Sequence, residues 1–326
     1  METPGARRGA RLAAAAVVAA LGLTACSGGS GRPPAASQAP SATAPASSTP
    51  PAPRAPAATS TGSTTSTGRA AAGPAGDGPA TTAATAASAA GAAARLAATL
   101  TRTERAIRDP GTPARELPAL GRAQQRAYRT IARQPSLLQE VLPLVPAGLR
   151  PVVRANVAAG IDLRKLSRPG PRLPPWRIVA PPPAAELLAA YHDAEAKLGV
   201  PWAYLAAINV VETRSGRIRG VSPAGAKGPM QFLPSTFRRY GAGGDIESPH
   251  DAILAAARML RANGAPADMA GALFAYNHSR LYVRAVTAYA EQMRADQRAF
   301  LGYHQWQVFY GDTLLPEGYP ARPAGG

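Results

Sequence analysis

The sequence predicts a mainly α fold: a larger helical region carrying the chemistry, a small helical region before it, and a disordered tether ahead of both. Three observations predict it. Large apolar side chains recur at helical spacing from Ala184 to Tyr310, with no convincing run of strand-like alternation. A shorter stretch, 91–166, repeats the pattern between prolines. The residues before it lack large apolar side chains, and all three tryptophans (Trp176, Trp202, Trp306) lie beyond residue 170, where a core is expected.

The N-terminus reads as a signal peptide over 1–25. Arg7, Arg8 and Arg11 form a basic start, and Leu12 to Leu23 an apolar segment too short for a comfortable membrane span. Leu23-Thr24-Ala25-Cys26 resembles the bacterial lipobox, whose cysteine receives diacylglycerol and becomes the mature N-terminus. Cys26 is the only cysteine, so intrachain disulfides are excluded and stability rests on packing. Residues 26–90, rich in Ala, Pro, Ser, Thr and Gly, read as a lipid-anchored disordered linker, since they bury too little surface to offset ordering entropy.

In 91–166, Leu96, Leu100, Ile107, Leu120, Tyr128, Ile131, Leu138 and Val141 fall at helical intervals, and Pro110, Pro113, Pro118, Pro135, Pro143 and Pro146 cut the stretch into short helices. No chemistry converges there, so packing or spacing is its expected role. Residues 167–183 read as a Pro-rich linker, 184–310 as the catalytic domain and 311–326 as a tail.

The formal charge is +17. Such a surface attracts polyanions: nucleic acid, anionic lipid or an anionic wall. No nucleic-acid motif accompanies it.

A helix is expected from about Pro201 to Arg214. Trp202, Tyr204, Leu205, Ile208, Val210 and Val211 leave it no polar face, so it should be buried nearly all round. Glu212, four residues after Ile208, then sits over apolar side chains, and burial should raise its pKa as a general acid requires. The alternative is a buried glutamate paired with Arg214, Arg217 or Arg219. Downstream, Ser222-Pro-Ala-Gly-Ala-Lys-Gly-Pro-Met-Gln-Phe-Leu-Pro brings turn-forming glycines, the polar Ser222 and Gln231, and the apolar Met230, Phe232 and Phe237. That mixture suits a sugar site, where hydroxyls need polar partners and ring faces need flat apolar ones.

These residues, with Ala275-Tyr276-Asn277-His278-Ser279 and Tyr282-Val283, closely resemble the soluble lytic transglycosylase (SLT) and goose-type lysozyme superfamily. Gly-Pro-Met-Gln-Phe-x-Pro is nearest to its membrane-bound, family-3-like branch. The resemblance covers about 184–310 and implies a lysozyme-like fold with a groove. It implies a lyase acting on a polysaccharide, peptidoglycan. It makes Glu212 the single catalytic acid and base, and Ser222 a serine that holds substrate near it. Met230 and Gln231 would line the saccharide groove, with Phe232 as an apolar wall, and Tyr276 and Asn277 would orient the carboxyl and the sugar. Thr213 stands where many members carry Ser, and Pro229 where the better-known form has Leu. The implied reaction cleaves the bond between N-acetylmuramic acid and N-acetylglucosamine and leaves 1,6-anhydro ends. A lysozyme-type hydrolase and a non-catalytic wall-binding lipoprotein are the alternatives. No Asp or Glu falls between Glu212 and Asp245, in accord with a single carboxylate, although Asp245, Glu247, Asp193 or Glu195 could fold nearby.

Neither cofactor nor metal is expected. Asp245 to Asp251 lacks calcium-loop spacing and reads as a helix start, with Ser248 as N-cap and Pro249 first. The four histidines lack zinc-site spacing. His278 is a candidate substrate contact. The aromatic cluster Tyr303, His304, Trp306, Phe309 and Tyr310 reads as core rather than sugar platform. The expected address is extracytoplasmic, on the outer face of the cytoplasmic membrane, with the anchor at Cys26.

Overall fold

The computed structural model describes residues 79–167 and 169–320. The signal segment and Cys26 lie outside the described residues.

Helix α1 spans Pro79–Arg108, ahead of the boundary read near residue 90. Its first half is mostly alanine, the residue with the strongest helix propensity. Helices α2 (Leu117–Arg133), α3 (Leu137–Val141) and α4 (Arg150–Leu166) follow, joined by 3₁₀ turns at Ala114–Glu116, Leu142–Leu144 and Ala147–Leu149. Proline stands in the first turn of α2 and of α4, where its missing N–H costs nothing. The short strand β1 (Arg177–Ile178) precedes α5 (Ala184–Leu198), α6 (Trp202–Thr213) and β2 (Ile218–Arg219). Then come α7 (Pro234–Tyr240), α8 (Pro249–Ala262), α9 (Met269–Tyr276), α10 (Arg280–Ala295), α11 (Ala299–His304) and the hairpin β3 (Val308–Tyr310)–β4 (Thr313–Leu315).

The fold is mainly α. Every side chain of α6 from Ala203 to Thr213 is buried, as its lack of a polar face requires. Helix α10 packs along α4 and against α6, α5 lies on α6 and α8, and α2 bridges α4 and α11. Gly121 of α2 permits the last contact: a Cβ there would fall 2.7 Å from the Gly302 carbonyl oxygen. As expected, Ser248 caps α8, its side chain accepting from the Asp251 N–H.

The domain division read from the sequence differs from the arrangement observed. One continuous core runs from Ala93 to Trp306 and includes Leu100, Tyr128, Ile131, Val153 and Val157 beside Tyr191, Leu205, Ile208 and Tyr282. Thus α1–α4 are not a separate helical body; helical periodicity reveals an apolar face but not which partner covers it. Arg284 of α10 reinforces the seam with two 2.8 Å hydrogen bonds to Asp162 of α4. The stretch 167–183 is not a free linker either. Trp176 and Ile178 are buried in a second small cluster with Ile218, Val308 and Leu315, and β1 pairs antiparallel with β2, Ile178 opposite Ile218. The tail read from 311 on contributes β4 to that cluster.

Buried within the α1–α2 contact is a charged group the sequence did not single out. The Glu104 carboxylate, fully buried, accepts hydrogen bonds from Gln124 at 2.9 Å and from Tyr128, and pairs with Arg108. Among the described residues, no helix is long and apolar enough to cross a membrane.

Candidate active site

Helix α6 carries Glu212 on its last turn. The chain then reverses through three consecutive left-handed residues, Arg214 (φ 54°), Ser215 (φ 61°) and Gly216 (φ 85°). This turn is held by polar side chains in an otherwise apolar helix. Asn209 donates to the Pro229 carbonyl at 2.8 Å, and the Thr213 hydroxyl donates to the same oxygen at 2.6 Å while accepting from the Gly216 N–H at 3.0 Å. Tyr191 of α5 donates to Asn209 Oδ1 at 2.6 Å. The clamp fixes the 222–232 loop to the end of α6. A hydroxyl at position 213 is what the clamp needs, and threonine supplies it as serine would.

The loop is closed on itself. Lys227 and Phe232 exchange backbone hydrogen bonds of 2.8 and 2.9 Å. Gly228 (φ 72°) lies against the Ile246 carbonyl so closely that a Cβ would overlap it. Ser222 Oγ accepts from the Ala226 N–H at 3.0 Å, so this hydroxyl braces its own loop. Gln231 (φ 50°) donates from its side-chain amide to the Gly228 carbonyl at 3.0 Å, and its Oε1 is buried without a partner.

The Glu212 carboxyl is 1% exposed. Tyr282 of α10 donates to Oε1 at 2.8 Å, and Oε2 is buried without a partner. Burial pushes the Glu212 pKa up to about 8, only partly offset by the Tyr282 hydrogen bond and the nearby Arg214. The unpartnered Oε2 is costly in either state, about 1–3 kcal/mol for a neutral group and more for a charged one, so burial favours the neutral form and leaves Oε2 the oxygen open to a ligand. None of the arginines considered from sequence neutralises Glu212. Arg214 donates to the Val210 carbonyl, Arg217 pairs with Glu317 at 3.5 Å, and Arg219 with Glu247 at 3.9 Å.

The remaining candidates divide into scaffold and free groups. Met230 and Phe232 were expected along the groove, but both side chains are buried in the main core, Phe232 packed edge-on against Phe237 and Tyr276. Tyr276 was expected to orient the carboxyl. Its hydroxyl instead donates to the Met230 carbonyl at 2.6 Å, and its ring stacks on that of Tyr282 at 6.4 Å. The direct partner of Glu212 is therefore Tyr282, whose position in the Tyr-Asn-x-Ser-x-x-Tyr-Val stretch was the signal available for it. Asn277 ends α9, and its side-chain amide makes no hydrogen bond among the described residues. The acids that could have supplied a second carboxylate are engaged elsewhere. Asp193 bonds Lys197 and His250, Glu195 bonds His192, Asp245 accepts from the Glu247 N–H, and Glu247 pairs with Arg219.

A buried, neutral carboxyl at a helix end, hydrogen-bonded to one tyrosine and clamped to a glycine-containing loop, is equipped to give up one proton and take it back. Comparison with protein-family models matched residues 190–298 to the transglycosylase SLT domain. No curated protein and no solved structure gave a match. The similarity covers about a third of the chain and takes in α6, the loop, α9 and α10: this is a mainly α-helical protein whose residues 190–298 match the transglycosylase SLT domain.

Proposed function

We propose that this protein is a lytic transglycosylase that cleaves the β-1,4 bond between N-acetylmuramic acid and N-acetylglucosamine in peptidoglycan and leaves 1,6-anhydro-muramoyl ends. The SLT domain supports a peptidoglycan-acting, lytic transglycosylase or lysozyme-like function. The observation that carries the finer reading is the Glu212 carboxyl itself: buried, held neutral to about pH 8, bonded through one oxygen to Tyr282, and without an acidic hydrogen-bond partner among the described residues. Hydrolysis by paired carboxylates needs the second group within roughly 5–10 Å to attack or to activate water. A single carboxyl suffices when the nucleophile is the substrate's own 6-hydroxyl. Glu212 gives its proton to the glycosidic oxygen, then takes the proton of that hydroxyl as it attacks the anomeric carbon. Tyr282 holds the carboxyl by Oε1 and directs Oε2 to the transfer. Asn277 and Ser222 offer amide and hydroxyl groups for sugar positioning. Because the carboxyl is 1% exposed, substrate binding must part the side chains that cover it.

The same reading places the protein in the family-3-like branch, on the motif Gly228-Pro229-Met230-Gln231-Phe232-Leu233-Pro234, and on the outer face of the cytoplasmic membrane, anchored by lipid at Cys26. Cys26→Ala should release the protein from the membrane fraction.

Digestion of purified peptidoglycan followed by mass spectrometry of the fragments tests the reaction. Anhydro ends from wild type and none from Glu212→Gln are expected. Reducing ends would make the protein a hydrolase. If wild type released no fragments at all, the non-catalytic wall-binding alternative would stand.

A further inference from the structure

A cavity of about 270 Å³ opens at the end of α6 beside the Glu212 site, lined there by Val211 and Arg214. Most of its wall comes from outside the SLT segment, from α2, α4 and the β3–β4 turn. Its charge is unbalanced. Arg129, Arg164 and Arg214 line it, and Arg133 stands at the same carboxylate, that of Asp312. Asp312 is shared among Arg133 at 3.2 Å, Arg164 at 3.4 Å and Arg129 at 3.6 Å. Among the described residues, Arg214 makes no ion pair. Three guanidinium groups thus share one carboxylate, and a fourth, that of Arg214, lines the same cavity. Burial and then repulsion from Arg214 lower the Arg129 pKa to about 10, a measure of how poorly that charge is compensated. The floor is aromatic: Tyr289 and Trp306 line it, and Arg129 lies 3.8 Å above the Phe309 ring. Gln125 and Asn156 also face the cavity, but their amides are spent on Gln307 and on Val152 and Tyr303. The cationic groups facing the cavity are the arginines, which share Asp312 and the Gly311 and Val210 carbonyls and so keep further N–H donors for an incoming anion.

We infer that this cavity binds a carboxylate of the acidic stem peptide carried by the muramoyl residues of the glycan, with Arg129, Arg164 and Arg214 as its ligands. The planar forks of arginine match carboxylates in two-point contact. The volume lies just below that of pockets enclosing drug-sized molecules, which suits a short acidic side chain on an aromatic floor. Arg214 couples the two sites, since it lines the cavity and also acts electrostatically on Glu212. The inference rests on peptidoglycan as the substrate but not on the cleavage reaction.

The test is calorimetric titration into the full chain carrying Glu212→Gln, which removes turnover. The probes are N-acetylmuramoyl dipeptide with its glutamyl carboxylates free, the same compound fully amidated, and inorganic phosphate. The free acid should bind at least tenfold more tightly than the amide, and Arg164→Ala and Arg129→Gln should each abolish most of that difference. Arg164 is 40% exposed at its side chain, so its variant should keep the wild-type melting temperature even if Arg129→Gln does not. Equal binding of acid and amide, tighter binding of phosphate than of the acid, or an acid preference that survives Arg164→Ala would overturn the assignment. A wild type that cuts no glycan but still prefers the acid would sink the enzymatic reading alone.

Discussion

Glu212 and Tyr282 form the smallest unit with a function, and pH profiles probe both. Folding holds Glu212 neutral to about pH 8, whereas an unfolded glutamate ionises near 4.5. The folded state therefore binds the extra proton between those values. This group's contribution falls as pH rises through the window and levels off above it. Glu212→Gln removes the penalty of burying the charge. The variant should gain thermal stability over wild type at pH 8 by a few kcal/mol, of the order set by about 1.4 kcal/mol per pKa unit, and show little gain at pH 4. Melting curves at the two pH values check it; an equal gain at both would mean the carboxyl is not held neutral. Tyr282→Phe removes the hydrogen bond that favours the charged form. The alkaline limb of kcat/KM should then move up by about one pH unit, with a lower kcat from a less well oriented acid. A lowered rate with an unmoved pH limb would reduce Tyr282 to a packing role.

At the scale of elements, the site is a joint between α6 and the 222–232 loop. Asn209 and Thr213 hold the Pro229 carbonyl from two sides, and Tyr276 of α9 holds the Met230 carbonyl. The loop's backbone is thus read by three side chains from two helices, and the Met230 and Phe232 side chains serve as its anchors in the core. Thr213→Val keeps the shape and deletes the hydroxyl. It should cost about 1–3 kcal/mol by leaving the buried Gly216 N–H without a partner and the Pro229 carbonyl with one donor instead of two, and Thr213→Ser should restore most of the loss. Urea denaturation of the three proteins checks it. The buried span of α6 and the burial of Glu212 on it were legible in the sequence, because apolar residues on every face of one helix admit few other placements. The loop's seat was not, because it depends on contacts with Ile246 and Tyr276 far along the chain.

For the whole molecule, the consequence of a single core is that the SLT segment is not independent of α1–α4. The α4–α10 seam buries Val153 and Val157 against the helix that supplies Tyr282. A chain cut to 184–310 should therefore expose that face, lose the sharp melting of a packed domain and bind a hydrophobic dye, whereas 79–320 should melt cooperatively. A truncated protein that melts sharply would restore the division into separate bodies. The sequence by itself determined the helical class, the placement of Glu212 on a buried helix and the motifs that identify the SLT segment, since these depend on local periodicity and residue order. Only the tertiary structure decided which tyrosine meets the carboxyl, that α1–α4 and the 167–183 stretch belong to the same packed body, and that three arginines from three elements, α2, α4 and the end of α6, converge on one cavity. Those features join residues up to about 180 positions apart, and a pattern confined to neighbouring residues carries no record of which distant surfaces meet.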